Sequence, residues 1–305
     1  MDGLRDRAVG SILGLALGDA LGAPFEFRRR DAIPSPLPAF ELPWMGLAPG
    51  TWTDDTAMAR NLWTSLISRG GDLDLDDVLA RHLAWLATDP PDVGNLTRRV
   101  LAGWRDGSPD PARAYVEQRG PEVSAGNGSV MYCAPLGVAR ALDAARLNEE
   151  APALSALTHW DERCRTACLA VTRAVAALVR GEAVEPAILA AVAAVADRDG
   201  GEELEYLAAE AGRARPIDGP DMGFTLFTAG VALREAVEAP SVEAGLREAV
   251  AFGGDTDTNA AVAGALLGAR FGRDRLPGVW LATLADRAAI ETEAEALASS
   301  IGGTR

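Results

Sequence analysis

Residues 4–22 read LRDRAVGSILGLALGDALG, and the way this stretch can pack decides the fold. It reads as a first helix, with Asp19 interrupting its apolar run. Gly10, Gly14, Gly18 and Gly22 recur every four residues. Each glycine costs a helix interior roughly 1 kcal/mol relative to alanine, so a stripe of them needs a return. Close approach of a neighbouring helix backbone supplies one. A second stripe, Gly264, Gly268 and Gly272, lies in a late helical segment. The two striped helices are expected to be central, tightly packed, and to bring their ends to a common region.

Working outward, helical periodicity covers 4–21, 55–69, 74–87, 95–104, 111–118, 130–146, 161–180, 185–196, 202–212, 223–238, 241–251, 258–271 and 278–298. Alanine, leucine, arginine and glutamate fill these segments. Proline and glycine mark the gaps, as in DPPDVG at 89–94 and RPIDGPDMG at 215–223. Period-two alternation is scarce. The expectation is an all-α, compact multi-helix fold, with 1–305 as one domain.

The net charge of −15 sets nucleic acid and acidic membrane surfaces aside as partners. The longest apolar stretches, such as 187–196, run about ten residues where about 20 are needed to cross a bilayer. Asp2, Asp6 and Asp19 spoil a signal-peptide reading of the first residues, which suit the first helix of a cytoplasmic protein. Cys133, Cys164 and Cys168 form no disulfide framework and read as small core residues.

The chemistry concentrates in two places. Residues 51–58 read TWTDDTAM and 252–269 read FGGDTDTNAAVAGALLGA. Each sets two acids among threonines at the start of a helix. Helix capping accounts for one such arrangement, but capping rarely needs two acids at both sites. If the two starts meet, each close carboxylate pair repels by roughly 4 kcal/mol at an effective dielectric near 20. No lysine or arginine lies inside either motif. Proton uptake or bound cations remain, and carboxylates with hydroxyls are hard ligands suited to Mg²⁺ or Mn²⁺. An EF-hand fails, because Ala260 and Leu266 stand where glycine and glutamate are required. A P-loop fails for want of a lysine after the glycines. In GDALGAPFEF, 18–27, Asp19 suits backbone amides near a helix end. Glu26, between two phenylalanines, is a candidate for a partly desolvated acid or base.

Together GDALGAPFEF, WTDDTAM, GNGSVMYCAPLG at 126–137, LTHWD at 157–161 and GGDTDTNAAVAGALLGA resemble the ADP-ribosylglycohydrolases related to dinitrogenase reductase-activating glycohydrolase, over about residues 4–272. The resemblance implies a binuclear centre of two Mg²⁺ or Mn²⁺ ions. Its ligands would be Thr53, Asp54 and Asp55 from one motif, and Asp255, Asp257 and Thr258 from the other. Glu26, Asp55 and Asp257 would be the catalytic carboxylates, with the proton carrier left open among them. Gly126, Asn127, Gly128 and Ser129 match the loop carrying the diphosphate. As a turn opening the 130–146 helix, they would offer N–H groups to an anion. His159 matches a cleft histidine and Phe224 an aromatic near the adenine or ribose. Tyr132 and Trp160 depart from the family pattern, standing where arginine and proline are common. His82 reads as structural and Arg28, Arg29 and Arg30 as a solvated run.

The function so implied is metal-dependent hydrolysis releasing ADP-ribose from protein side chains, arginine-linked first, by a monomer. Its partners would be an ADP-ribosylated protein or a small ADP-ribose conjugate. Serine-linked or polymeric ADP-ribose and O-acetyl-ADP-ribose are alternative substrates. A non-catalytic ADP-ribose-binding protein and a metal-dependent diphosphate hydrolase are the rival classes.

Overall fold

The computed structural model describes residues 2–302. Fifteen α-helices occur among them: α1 (Asp2–Gly22), α2 (Asp54–Ser68), α3 (Leu75–Leu86), α4 (Asn95–Arg105), α5 (Pro111–Arg119), α6 (Ala134–Ala139), α7 (Ala144–Ala156), α8 (Glu162–Arg180), α9 (Val184–Ala193), α10 (Gly201–Glu210), α11 (Thr225–Glu238), α12 (Val242–Ala251), α13 (Thr256–Phe271), α14 (Gly278–Thr283) and α15 (Arg287–Ser299). No strand is formed among the described residues, only isolated backbone bridges. The all-α expectation holds.

The axis of the fold is the α1–α13 pair, which lies antiparallel. Gly10 sits against Gly268, Gly14 against Gly264, Gly18 against Ala260 and Gly22 against Thr256. At each of these four α1 positions a β-carbon would overlap the opposing carbonyl oxygen. Glycine is therefore required for the approach itself. α1 is buried from Ala8 to Gly22 and α13 from Thr256 to Ala269. Around this axis, α8, α11 and α12 pack on α13, and α15 on α1. α10 packs on α11, α6 and α7 on α8, and α2 bridges α15 and α3. The three cysteines are buried and free, as core residues.

Three expectations need correction. Asp2–Phe25 is long and apolar enough to cross a bilayer by length and composition, and 94% of that apolar window is buried within the fold. One aspartate, Asp19, does not offset so many apolar neighbours.

The segment 130–146 is not one helix. Gly126 forms a backbone bridge, residues 127–132 form turns, and the segment first becomes helical at Ala134, where Pro135 suits a first turn. Asp143, inside the expected helix, is instead the N-cap of α7 and accepts the Arg146 N–H at 3.1 Å. α7 then runs through Pro152 to Ala156, over residues read as a gap.

The segment 278–298 splits into α14 and α15. There Asp286 adopts φ 55° and the Ala285 N–H is drawn to the Gly50 carbonyl at 2.9 Å.

Candidate active site

The glycine register delivers the end of α1 to the start of α13: a β-carbon on Gly22 would lie 2.5 Å from the Asp257 Cα. Beyond Gly22 the chain makes a 3₁₀ turn, Ala23–Phe25, and is then tied to the approach of α13. The Phe27 N–H donates to the Gly254 carbonyl at 2.8 Å, and the Gly254 N–H to the Arg28 carbonyl at 2.7 Å. Gly253 and Gly254 take φ of 72° and 77°, a region open to glycine, and their backbones press on Arg28–Arg30 and Ile217–Asp218. The outcome is a cluster: carboxylate oxygens of Glu26, Asp255 and Asp257 lie within 4.8 Å of one another.

α2 arrives through Asp19. Its buried carboxylate accepts the Thr53 N–H at 2.9 and 3.0 Å, the Thr56 N–H at 2.9 Å and the Thr56 hydroxyl at 2.5 Å. The residues at the N-cap positions, Thr53 and Asp255, make no side-chain cap of their own helices. Capping of α2 is thus supplied from α1, and Asp54 and Asp55 are released from it. The two acidic starts do meet. Thr53 Oγ1, from one motif, and Thr258 Oγ1, from the other, each lie 3.3 Å from Asp55 Oδ2. The other oxygen, Asp55 Oδ1, is buried and has no hydrogen-bond partner.

A cavity of about 360 Å³ opens over this cluster. Glu26, Asp54, Asp92, Asp255, Asp257 and Thr258 line its acidic side; Leu96, Thr97, Gly126, Asn127, Gly128, Met131 and His159 line the rest. No lysine or arginine is among the described lining residues. Burial, then the charges of Asp92, Asp255, Asp54 and Asp19, push the Glu26 carboxyl up to about 9. Burial and neighbouring acids push Asp54, Asp55 and Asp257 well above the usual carboxylate range. Asp19 rises to about 6 by burial, against the pull of its hydrogen bonds. Such a set of oxygen donors without an internal cation, one of them a buried orphan, fits divalent hard cations. Thr53 and Asp55 lie beneath the cavity surface, and the other proposed ligands line it.

On the opposite wall, the Asn127 amide donates to Asp255 Oδ2 at 2.9 Å and to Thr228 Oγ1 at 3.1 Å. Gly128 is wedged in: a β-carbon there would lie 2.7 Å from Thr97 Oγ1 and 2.8 Å from His159 Cε1. His159 is buried, its Nδ1 3.0 Å from Thr158 Oγ1, and burial drives its pKa down to about 3, so the ring is neutral. Ser129 turns away from the cavity to pair with Ser155 Oγ at 3.0 Å, since the turn leaves its hydroxyl in the core. The 126–132 turn is not a helix start, so any anion there meets turn backbone and no helix dipole. Phe224 lines a neighbouring cavity with Arg163 and Arg215; Gly126 borders both cavities and forms a backbone bridge to Phe224.

Tyr132 is wholly buried, 3.0 Å from Thr158 Oγ1, and Trp160 lies between Arg113 and Arg165; neither lines the cavity. His82 is buried 3.1 Å from Asn61 and edge-on to Tyr132, in keeping with a structural role. In the arginine run, Arg30 ties down the Gly212 carbonyl at 2.7 Å.

Sequence reasoning passes over Asp92, Leu96, Thr97 and Phe27, all of which line the cavity. Asp92 is pushed up by burial and Asp255, with a hydrogen bond to Asp54 opposing. The available signal is the acid in PPDVG, held between a rigid Pro-Pro and a glycine.

The profile of the ADP-ribosylglycohydrolase family matches residues 1–305, and the chain belongs to that family of hydrolases. It is 32% identical to the ADP-ribosyl-dinitrogen reductase glycohydrolase of Rhodospirillum rubrum, over 92% of this chain and 91% of that one. It is 28% identical to an ADP-ribosylarginine hydrolase of Serratia proteamaculans, over 96% of this chain and 79% of that one. A solved ADP-ribosylglycohydrolase-related protein complex superposes with a TM-score of 0.81 at 31% identity, covering 98% of this chain and 99% of that one.

Proposed function

We propose that the protein hydrolyses the bond between the distal ribose of ADP-ribose and a protein arginine, with Mg²⁺ or Mn²⁺ held at the carboxylate cluster. The observation that carries this reading is the meeting of Thr53 and Thr258 on Asp55, whose second oxygen is left without a partner. Names of relatives that act on ADP-ribosylated dinitrogen reductase and on ADP-ribosylarginine support the arginine linkage.

Thr53, Asp54, Asp55, Asp255, Asp257 and Thr258 would hold two ions. Divalent ions there supply Lewis acidity and cancel the mutual repulsion of the carboxylates. Glu26, partly desolvated on the acidic side of the cavity, is the carboxyl placed to give a proton to the leaving guanidino nitrogen. Asp92, which also lines the acidic side, accepts the proton of the attacking water, giving the two-carboxylate division of labour used for glycosides. The water's hydroxyl ends on the anomeric carbon and a proton on the departing nitrogen. Asn127 keeps Asp255 turned toward the cluster. Gly126 and Gly128 leave backbone open to a diphosphate, beside a neutral His159.

The test is turnover of an ADP-ribosyl-arginine protein with and without Mg²⁺ or Mn²⁺, alongside Asp54→Asn and Asp257→Asn. The expected product is free ADP-ribose, formed only with the ions and lost in both variants. AMP with ribose phosphate would signal diphosphate cleavage, and ion-independent turnover would remove the proposal.

A further inference from the structure

We propose that the ring of Phe27 is the platform that receives the guanidinium of the ADP-ribosylated arginine, and so selects the leaving group. This rests on the glycohydrolase reading above and adds the residue that discriminates among linkages.

Three observations converge. First, Phe27 is 64% exposed, although it lines the acidic cavity with Glu26, Asp54 and Asp92. Second, its φ is 62°, a left-handed conformation that a bulky side chain rarely takes. The backbone bridge to Gly254 holds it there. An outlier kept in place by its surroundings is a mark of a working position. Because Glu26 precedes it on the same tethered turn, the backbone that carries the ring is fixed relative to the acid that would protonate the leaving group.

Third, Phe27 is bare. Phe25, Phe224, Phe227, Phe252 and Phe271 each carry an arginine over the ring, and Phe40 packs on Trp280. Among the described residues, Phe27 alone of the phenylalanines has neither kind of partner. The chain repeatedly satisfies an aromatic face with a guanidinium, and the one open face stands at the rim of a site rich in carboxylates. A planar cation resting on that ring, with acids beside it, meets the requirements of a cation–π contact.

The test compares wild type with Phe27→Leu, Phe27→Gly and Phe27→Trp. kcat/KM is measured on ADP-ribosyl-arginine and on serine-linked ADP-ribose, and the affinity for ADP-ribose, which has no guanidinium, is measured by calorimetry. Phe27→Gly relieves the backbone conformation, so a loss shared with Phe27→Leu belongs to the ring. Loss of the ring is expected to lower kcat/KM on the arginine linkage by about 5- to 30-fold. The serine linkage and ADP-ribose affinity should stay within about two-fold, and Phe27→Trp should retain the arginine activity. An equal fall on both linkages, a parallel loss of ADP-ribose affinity, or no change on arginine would overturn the proposal. Wild type that cleaves serine-linked but not arginine-linked ADP-ribose overturns it too, while leaving glycohydrolase action intact. Release of ADP-ribose from neither would sink the underlying reading as well.

Discussion

The carbonyl oxygen of Ala260 occupies the place where Gly18 would carry a β-carbon. This single adjacency, repeated at Gly10, Gly14 and Gly22, sets the depth at which α1 meets α13 and hence the spacing of Glu26 from Asp255 and Asp257.

Gly18→Ala should therefore do double damage. The added methyl forces the helices apart, with an expected loss of about 1–3 kcal/mol, and it spreads the carboxylate cluster. Gly3→Ala, at the exposed start of the same helix, should be neutral or stabilising by up to about 1 kcal/mol. Urea denaturation of both variants, with Mn²⁺ titration of the first, checks the pair. Unchanged stability and Mn²⁺ affinity in Gly18→Ala would contradict the register.

Asp19→Ala leaves two buried N–H groups and a hydroxyl without their acceptor. A loss of about 3 kcal/mol is expected, the scale of removing charged hydrogen bonds from buried donors. Activity should fall with it, because Asp19 sets the angle at which α2 presents Asp54 and Asp55. Asp19→Asn, which keeps one acceptor oxygen, should recover part of the stability. Equal stability of the two variants would argue that the cap is immaterial.

The ion-free protein should lose stability as pH rises. Glu26 has a folded pKa raised from 4.5 to about 9, so its contribution is fully present below about 4.5 and is lost through pH 9. His82 and His159, lowered from 6.5 to about 3, act in the other direction: their contribution is present above 6.5 and is lost as pH falls toward 3. Melting curves in chelator should thus decline from pH 6.5 to 9. Mn²⁺ should raise the midpoint more at pH 8.5 than at 5.5, since ions displace protons from the cluster. A flat profile in chelator would refute the crowding of acids.

Asp92→Asn should cut kcat by about 10²- to 10⁴-fold, the usual range for a lost general base. Mn²⁺ affinity should change far less. Single-turnover kinetics beside calorimetry separate the two, and a variant that fails only by losing the ion would assign Asp92 to ion binding.

Gly128→Ala drives a methyl into Thr97 and His159. The expected result is a folded protein with kcat/KM lowered by about 10²-fold, as a small displacement within a site can produce. An unaltered KM for substrate would show that the turn is not part of the ligand's seat.

Much of this arrangement is legible in the chain itself. Glycines at every fourth position name two helices that must touch, and doubled Asp-Thr clusters name what lies at their ends. Loops are less transparent. Asp92 hides in DPPDVG because proline, aspartate and glycine are what any tight connection contains. Ser129 belongs to a motif whose neighbours face the cavity, but a turn rotates its hydroxyl into the core, and no periodicity reports that rotation. α7 escapes notice because Pro152 resembles a break, although tertiary burial at Leu147, Ala151 and Leu154 carries the helix through it.

The partnership of α1 with α13 also constrains how the protein is made. Gly22 meets Thr256, so the earliest helix waits for more than two hundred residues of further synthesis before its partner leaves the ribosome. At ordinary elongation rates that is roughly 10–50 s. Throughout that interval a segment as apolar as a bilayer-spanning one lacks the backbone against which its four glycines close, and only α2, α6 and α8, made earlier, can cover part of it.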